Sequence, residues 1–116
     1  ALTVRADMDT KPQYIYGVNY SDTGNMVATC ALAARIYEDI DPEFANKCMI
    51  AAERGYEWMM ANPNFKYEYP GNFYGATTEY QGASQYDELM WAKAEMFATT
   101  KDEKYLDGML ELVSKL

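Results

Sequence analysis

Residues 77–98 read TTEYQGASQYDELMWAKAEMFA and are followed at 99–107 by TTKDEKYLD. A polar loop ends at the adjacent acidic residues Asp87 and Glu88, and the apolar residues beyond them recur at helical spacing. A short charged turn then leads into another helical pattern. Carboxylates at the start of a helix can bind a hard cation or line a ligand groove, or they can simply interact favourably with the helix dipole. The stretch predicts a helix with a candidate site at its N-terminus.

The rest of the chain extends this pattern to an all-α fold of four helices in two hairpins. We expect a first helix capped by Ser21 or Asp22 that ends near Glu38, and a second from Asp41 to about Ala61. A third helix is expected from about Tyr86 to Thr99, and a fourth from about Asp102 to the end of the chain. The expected apolar stripes, in helix order, are Met26, Cys30, Ala33 and Tyr37; Phe44, Cys48, Ala51, Gly55 and Trp58; Met90, Trp91, Ala94 and Phe97; and Leu106, Met109, Val113 and Leu116.

The two predicted hairpins resemble each other in sequence. The corresponding positions are Ala34, Tyr37, Asp41, Phe44 and Cys48 in the first, and Ala94, Phe97, Asp102, Tyr105 and Met109 in the second. Helical hairpins that repeat in this way are the units of α/α toroids and solenoids, in which each unit is covered by its neighbours. We therefore expect exposed apolar flanks through which the chain can self-associate.

Composition and charge exclude several classes of function. A net charge of −8 argues against a nucleic-acid partner, and no apolar run approaches the roughly 18 residues of a membrane span. The first residues, ALTVRADMD, lack the pattern of a signal peptide. The chain has no histidine, so zinc is not expected. We expect Cys30 and Cys48 to be buried and free, with a bridge between them as the alternative.

An ordered set of residues matches a known family along nearly the whole chain. The matching positions are Pro12, Tyr14 and Gly17; Ala33 to Tyr37; Asp41, Pro42, Lys47, Cys48, Ala51 and Ala52; and Thr77, Glu79, Tyr80, Asp87, Glu88, Trp91, Ala92, Ala94, Glu95, Thr99, Asp102 and Tyr105. In these positions the chain resembles the family 9 glycoside hydrolases, which are inverting cellulases built on an (α/α)6 barrel. The resemblance implies that residues 1–116 are part of one catalytic domain and supply about four of its twelve helices.

The resemblance also implies the activity of the intact parent protein. It would be an endo-β-1,4-glucanase acting on cellulose or a related β-glucan, located outside the cell or in the periplasm. The family's catalytic base lies in an Asp-rich motif before the matched region, and its acid is a Glu near the domain's C-terminus. We therefore expect no catalytic residue in this chain, which alone should be inactive. Its role would be scaffold and one wall of the cleft, in contact with the remainder of the domain.

Two binding sites follow from the same resemblance. Substrate contacts are expected at Tyr80, with Gln81 and Tyr74 as weaker matches. Calcium is expected at Ser84, or at the backbone of Ala83 in its place, and at Asp87 and Glu88, with a further carboxylate from beyond Leu116. At 80–85 the chain lacks the acidic residues of the family loop, which removes oxygen ligands. The alternative for the whole chain is a non-catalytic helical-repeat module that binds a protein or a carbohydrate through its aromatic loop.

Overall fold

The computed structural model describes residues 4–12, 17–63, 65 and 85–116, and all the regular structure in these ranges is helical. The helices are α1 (Tyr20–Tyr37), α2 (Pro42–Ala61), α3 (Tyr86–Thr100) and a short α4 (Met109–Val113), with 3₁₀ turns at Ala6–Met8 and Glu103–Leu106. None of the helices found within these ranges is both long and apolar enough to cross a bilayer.

The starts of α1 and α2 are fixed by side-chain caps. At α2, Asp41 accepts a hydrogen bond from the backbone N–H of Phe44 at 3.0 Å, and Pro42 occupies the first turn, as predicted. At α1 the predicted cap is wrong. Asn19, rather than Ser21 or Asp22, has the extended backbone of a cap, and its side-chain oxygen accepts from Asp22 N–H at 2.7 Å.

Helix α1 lies between α2 and α3. It runs antiparallel to α2, since the Tyr37 ring packs edge-on against Phe44 near the connecting turn. It runs parallel to α3, since Gly24 near the start of α1 lies against Glu88 near the start of α3, and Arg35 near the end of α1 donates to Thr99 Oγ1 near the end of α3 at 2.9 Å. Thr99 Oγ1 also donates to the carbonyl of Ala31 at 2.7 Å, and Arg35 donates to Glu95 at 2.8 Å. This arrangement places the starts of α1 and α3 at the same end of the bundle.

The residues predicted to form the buried face of α1 are displaced by about one position from those that are buried, so this prediction is wrong. Met26 and Tyr37 are more than a third exposed, whereas Val27, Ala28 and Ala31 are fully buried. The predicted stripe instead lies along the contact with α2, where the Met26 methyl carbon is 2.7 Å from the position that a Cβ on Gly55 would take. The most buried residues of α1 face both neighbouring helices, and a single apolar stripe does not reveal the second neighbour.

Two further core predictions are corrected on α2 and α3. Phe44 is 43% exposed, although Cys48 and Gly55 of the same predicted stripe are buried. Trp91 is 42% exposed rather than packed in the core. The reason is that α3 buries a different face, formed by Leu89, Ala92, Lys93 and Met96, against α1 and the turn that follows α3.

The predicted fourth helix is broken. Asp102 caps a 3₁₀ turn by accepting from Lys104 N–H, and the chain then bends at Gly108, whose φ of 75° is left-handed and favours glycine. Only the short α4 follows. Tyr105 and Leu112 are buried there, whereas the predicted stripe residues Leu106, Val113 and Leu116 are exposed.

Several large apolar side chains remain exposed around the turn between α1 and α2. This turn patch consists of Ile36, Tyr37, Ile40 and Phe44, and Ile40 is 72% exposed. The cysteines are free as expected, with Cys48 buried and Cys30 half-buried.

Candidate functional site

The candidate site lies where the first turns of α1 and α3 touch. A Cβ on Gly24 of α1 would come within 2.9 Å of the Glu88 Cβ and 3.2 Å of the Glu88 backbone carbon and oxygen. Real Cβ atoms do not approach this closely, so the absence of a side chain at Gly24 allows the first turn of α3 to lie directly against α1. This contact fixes the backbone that carries Asp87 and Glu88.

The two carboxyl groups of α3 have different environments. Asp87 is exposed, whereas the Oε2 atom of Glu88 is buried and has no hydrogen-bond partner among the described residues. Burial raises the pKa of Glu88, and a hydrogen bond to the neighbouring Asp87 raises it further. The same hydrogen bond from the Glu88 carboxyl lowers the pKa of Asp87. As the pH falls, Glu88 therefore takes up a proton before Asp87 does.

Negative charge from α1 reinforces this arrangement. The carboxylate of Asp22, in the first turn of α1, also raises the pKa of Glu88. Two helix starts offset part of the repulsion, because their unpaired N–H groups favour nearby anions. A cation bound beside Glu88 would favour the ionised form of this carboxyl group. Within 4–12, 17–63, 65 and 85–116, however, no three Asp, Glu, Cys or His side chains are grouped closely enough to hold a metal by themselves.

The remaining predicted site residues lie outside the described part of the chain. This applies to Tyr74, Tyr80, Gln81 and Ser84. The residues that flank this segment are described, and they lie close together: Gln85 Nε2 donates to the carbonyl of Phe65 at 3.4 Å. The Phe65 ring packs edge-on against Trp58 of α2 at 5.1 Å. Phe65 and Gln85, the described residues on either side of 66–84, are therefore in contact directly before the start of α3.

The burial of Lys93 was not predicted from the sequence. Lys93 is only 6% exposed, and its Nζ donates to the Tyr56 hydroxyl at 2.8 Å and to the Asp107 carbonyl at 3.1 Å. Burial lowers its pKa. Lys93 thus joins α2, α3 and the turn before α4. Its position one turn after Leu89, between Ala92 and Met96, was a signal that it falls on the buried face.

The described residues have the arrangement of a helical-hairpin domain. The long helices α1 and α3 run parallel, each is followed by a capped turn, and carboxylates lie where the two helix starts meet. The sequence profile of Glycosyl hydrolase family 9 matches residues 4–115. The chain belongs to that family.

Two curated relatives from Acetivibrio thermocellus show how much of a family member is present. The chain is 42% identical to Endoglucanase D over 84 residues, which is 72% of this chain and 13% of that protein. It is 33% identical to a cellulose 1,4-beta-cellobiosidase over 111 residues, which is 95% of this chain and 12% of that protein. The chain therefore spans about an eighth of the length of these relatives.

Solved structures agree on the fold. A metagenome-derived glycoside hydrolase family 9 endoglucanase superposes with a TM-score of 0.72 at 26% identity, covering 97% of this chain and 20% of that one. An endoglucanase from the termite Nasutitermes takasagoensis gives a TM-score of 0.66 at 23% identity, over 84% of this chain and 22% of that one. The prediction of an all-α segment of an (α/α)6 barrel is confirmed. The assignment of residues 1–116 to a single domain stays a prediction.

Proposed function

We propose that this chain is a segment of an inverting glycoside hydrolase of the endo-β-1,4-glucanase type, acting on cellulose or a related β-glucan outside the cytoplasm. The observation that carries the proposal is membership of family 9 over residues 4–115, together with relatives named for cellulose hydrolysis. In the parent protein this segment supplies scaffold and one wall of the substrate cleft. The remainder of the catalytic domain is its first partner.

The described carboxyl groups do not suit inverting hydrolysis. That reaction needs an acid and a base roughly 6.5–9.5 Å apart, so that a water molecule fits between the base and the sugar. Asp87 and Glu88 are instead neighbours in the first turn of α3, and each carboxyl group shifts the pKa of the other. We therefore place both catalytic carboxyl groups elsewhere in the parent and assign no catalytic residue here.

The substrate wall is proposed at Tyr80, Gln81 and Tyr74. Support comes from the described residues on either side of 66–84, because Gln85 Nε2 donates to the carbonyl of Phe65 directly before the start of α3. Tyrosine rings suit sugars, because a ring face covers the apolar face of a pyranose while the hydroxyl stays hydrated. A stacked ring of this kind contributes about 1 kcal/mol, by analogy with other aromatic contacts.

A calcium ion is proposed at Ser84, Asp87 and Glu88, with further oxygen ligands from the parent protein. Support comes from Glu88 Oε2, which is buried without a hydrogen-bond partner among the described residues and lies beside a second carboxyl group. Calcium takes carboxylate, hydroxyl and carbonyl oxygens in flexible geometry. When bound, it would supply positive charge that keeps both carboxyl groups ionised and fixes the start of α3.

The activity is tested on the parent protein with soluble cello-oligosaccharides, following the anomeric form of the first product by proton NMR. We expect cleavage with inversion, and Tyr80→Ala should raise KM about five-fold, which corresponds to the contact of about 1 kcal/mol. Tyr86→Ala, outside the proposed wall, is the matched control. A parent that binds β-glucan without cleaving it would instead support a carbohydrate-binding module, and one that does neither would support a protein-interaction module.

The calcium site is tested by isothermal titration of the metal-free parent with CaCl2. Asp87→Asn and Glu88→Gln should each weaken binding by at least ten-fold. The control is Glu103→Gln, because Glu103 is an exposed carboxylate in the first turn of the 3₁₀ segment and is far from the proposed ligands in sequence. Equal calcium affinity in all three variants would remove Asp87 and Glu88 from the site.

A further inference from the structure

A cleft of about 210 Å³ opens between the end of α2, the first turns of α3 and the short α4. Much of its wall is apolar or aromatic and comes from Tyr20, Met60, Leu89 and Leu112. A water molecule occupies about 30 Å³ of the liquid, so the cleft has room for several waters or for one small organic molecule. Its size and lining are those of a site for a small, partly apolar ligand.

Lys93 of α3 lines the same cleft and is only 6% exposed. None of the described carboxylates forms an ion pair with its ammonium group, and Asp107 accepts from it through the backbone carbonyl rather than the side chain. An ammonium group removed from water without a counter-ion is costly, and the lowered pKa of Lys93 reflects that cost. An anion in the cleft would offset part of it.

The hydrogen bonds of Lys93 also leave room for a ligand. A lysine ammonium group has three N–H donors. Two of them are used, by the Tyr56 hydroxyl at 2.8 Å and by the Asp107 carbonyl at 3.1 Å. The third has no acceptor among the described residues. A carboxylate oxygen is the acceptor that would bind it most strongly, because such a hydrogen bond joins two opposite charges.

The remaining charged side chains among the described residues of the wall neutralise each other. Lys115 Nζ lies 2.8 Å from Glu111 Oε1, and both side chains are exposed. This ion pair neither repels an incoming anion nor supplies a counter-ion to the buried amine. Lys93 therefore carries the uncompensated charge of the described part of the cleft.

We propose that this cleft binds a short-chain aliphatic carboxylate, whose oxygen accepts the third N–H of Lys93 and whose alkyl chain packs against Leu89 and Leu112. The neutral amide of the same acid would keep the apolar contacts and lose the pairing of opposite charges. The cleft should therefore distinguish an acid from its amide.

The test is an NMR titration of the isotopically labelled full chain with sodium butyrate at neutral pH and constant ionic strength. Butanamide and sodium chloride are titrated in parallel. We expect butyrate to shift the Lys93 Cε–Hε and Leu112 methyl signals to saturation at millimolar concentration. Butyrate should bind about ten-fold more tightly than butanamide, because hydrogen bonds between charged groups are the stronger ones.

Lys93→Met removes the ammonium group while keeping a side chain of similar length, and it should abolish the preference for butyrate over butanamide. Lys47→Met is the matched control, because it removes the same charge from an exposed ion pair with Glu43, outside the cleft. This control should keep the preference. The titration of the wild-type chain does not depend on the folding of either variant.

Four results would overturn the proposal. Equal affinity for butyrate and butanamide would show that the charge of Lys93 is not used. Shifts that never saturate would show that there is no site, and equal shifts with sodium chloride would show a general effect of salt. A Lys93→Met chain that still prefers butyrate would place the carboxylate elsewhere.

Discussion

Replacing Gly24 by alanine tests the contact on which the candidate site depends. Inside a helix, Gly→Ala normally stabilises by about 1 kcal/mol, because alanine loses less backbone freedom on folding. At Gly24 the new methyl group would lie 2.9 Å from the Glu88 Cβ and 3.2 Å from two backbone atoms of Glu88. Overpacking costs about 1–3 kcal/mol, and backbone cannot rotate out of the way as a side-chain end can. We expect the difference between these two effects, a net loss of about 0–2 kcal/mol in the free energy of unfolding.

The assay is urea unfolding followed by far-UV circular dichroism, with amide spectra of the folded protein recorded in parallel. Asn25→Ala is the control, because Asn25 is the exposed neighbour on α1 and its replacement should stabilise by a few tenths of a kcal/mol. In Gly24→Ala the amide signals of Glu88 and Leu89 should shift, whereas Asn25→Ala should leave them in place. A Gly24→Ala protein as stable as wild type, with unchanged Glu88 signals, would refute the direct contact between the helix starts.

Three other perturbations have defined outcomes. Burial lowers the pKa of Lys93 in the folded chain, so the unfolded chain binds the lysine proton more tightly. Lys93 therefore makes the free energy of unfolding rise with pH, up to the ordinary lysine pKa of about 10.4. Lys93→Met should flatten that rise in urea titrations carried out below the ordinary lysine pKa, and an unchanged slope would contradict the burial of the amine. Asp41→Ala removes the cap on α2 and should cost about 1 kcal/mol in thermal unfolding, whereas Asp39→Ala in the preceding turn should be neutral. The chain should self-associate through the turn patch, so Ile40→Glu should shift the sedimentation coefficient towards that of a monomer. Wild-type chain that stays monomeric at high concentration would show that the patch does not mediate association.

Local signals were sufficient to predict most helix boundaries. Asp41 followed by Pro42 starts α2 through contacts within one turn, so the sequence contains all the information that the cap needs. At α1, Asn19, Ser21 and Asp22 all have side chains that can cap, and only the backbone conformation selects Asn19. At the other end of the chain, Gly108 was read as part of a helix, because its left-handed conformation is a property of the folded turn.

Contacts between distant residues account for what the sequence did not reveal. The position of Asp87 and Glu88 at the start of α3 was predicted. The contact with Gly24 that holds them in place comes from a helix more than sixty residues earlier in the chain. The burial of Lys93 likewise depends on acceptors from α2 and from the turn before α4. Trp91 was assigned to the core because it falls in an apolar stripe with Met90, Ala94 and Phe97, but the buried face of α3 is decided by where α1 lies.

The parallel contact between α1 and α3 affects which parts of the sequence can diverge within the family. Helix α3 is positioned by its contacts with Gly24, Ala31 and Arg35 of α1. Insertions, deletions and substitutions at 66–84 can therefore accumulate in a lineage while the helical frame keeps its register. The substrate contacts proposed at Tyr74, Tyr80 and Gln81 can change in the same way, independently of the residues that maintain the fold.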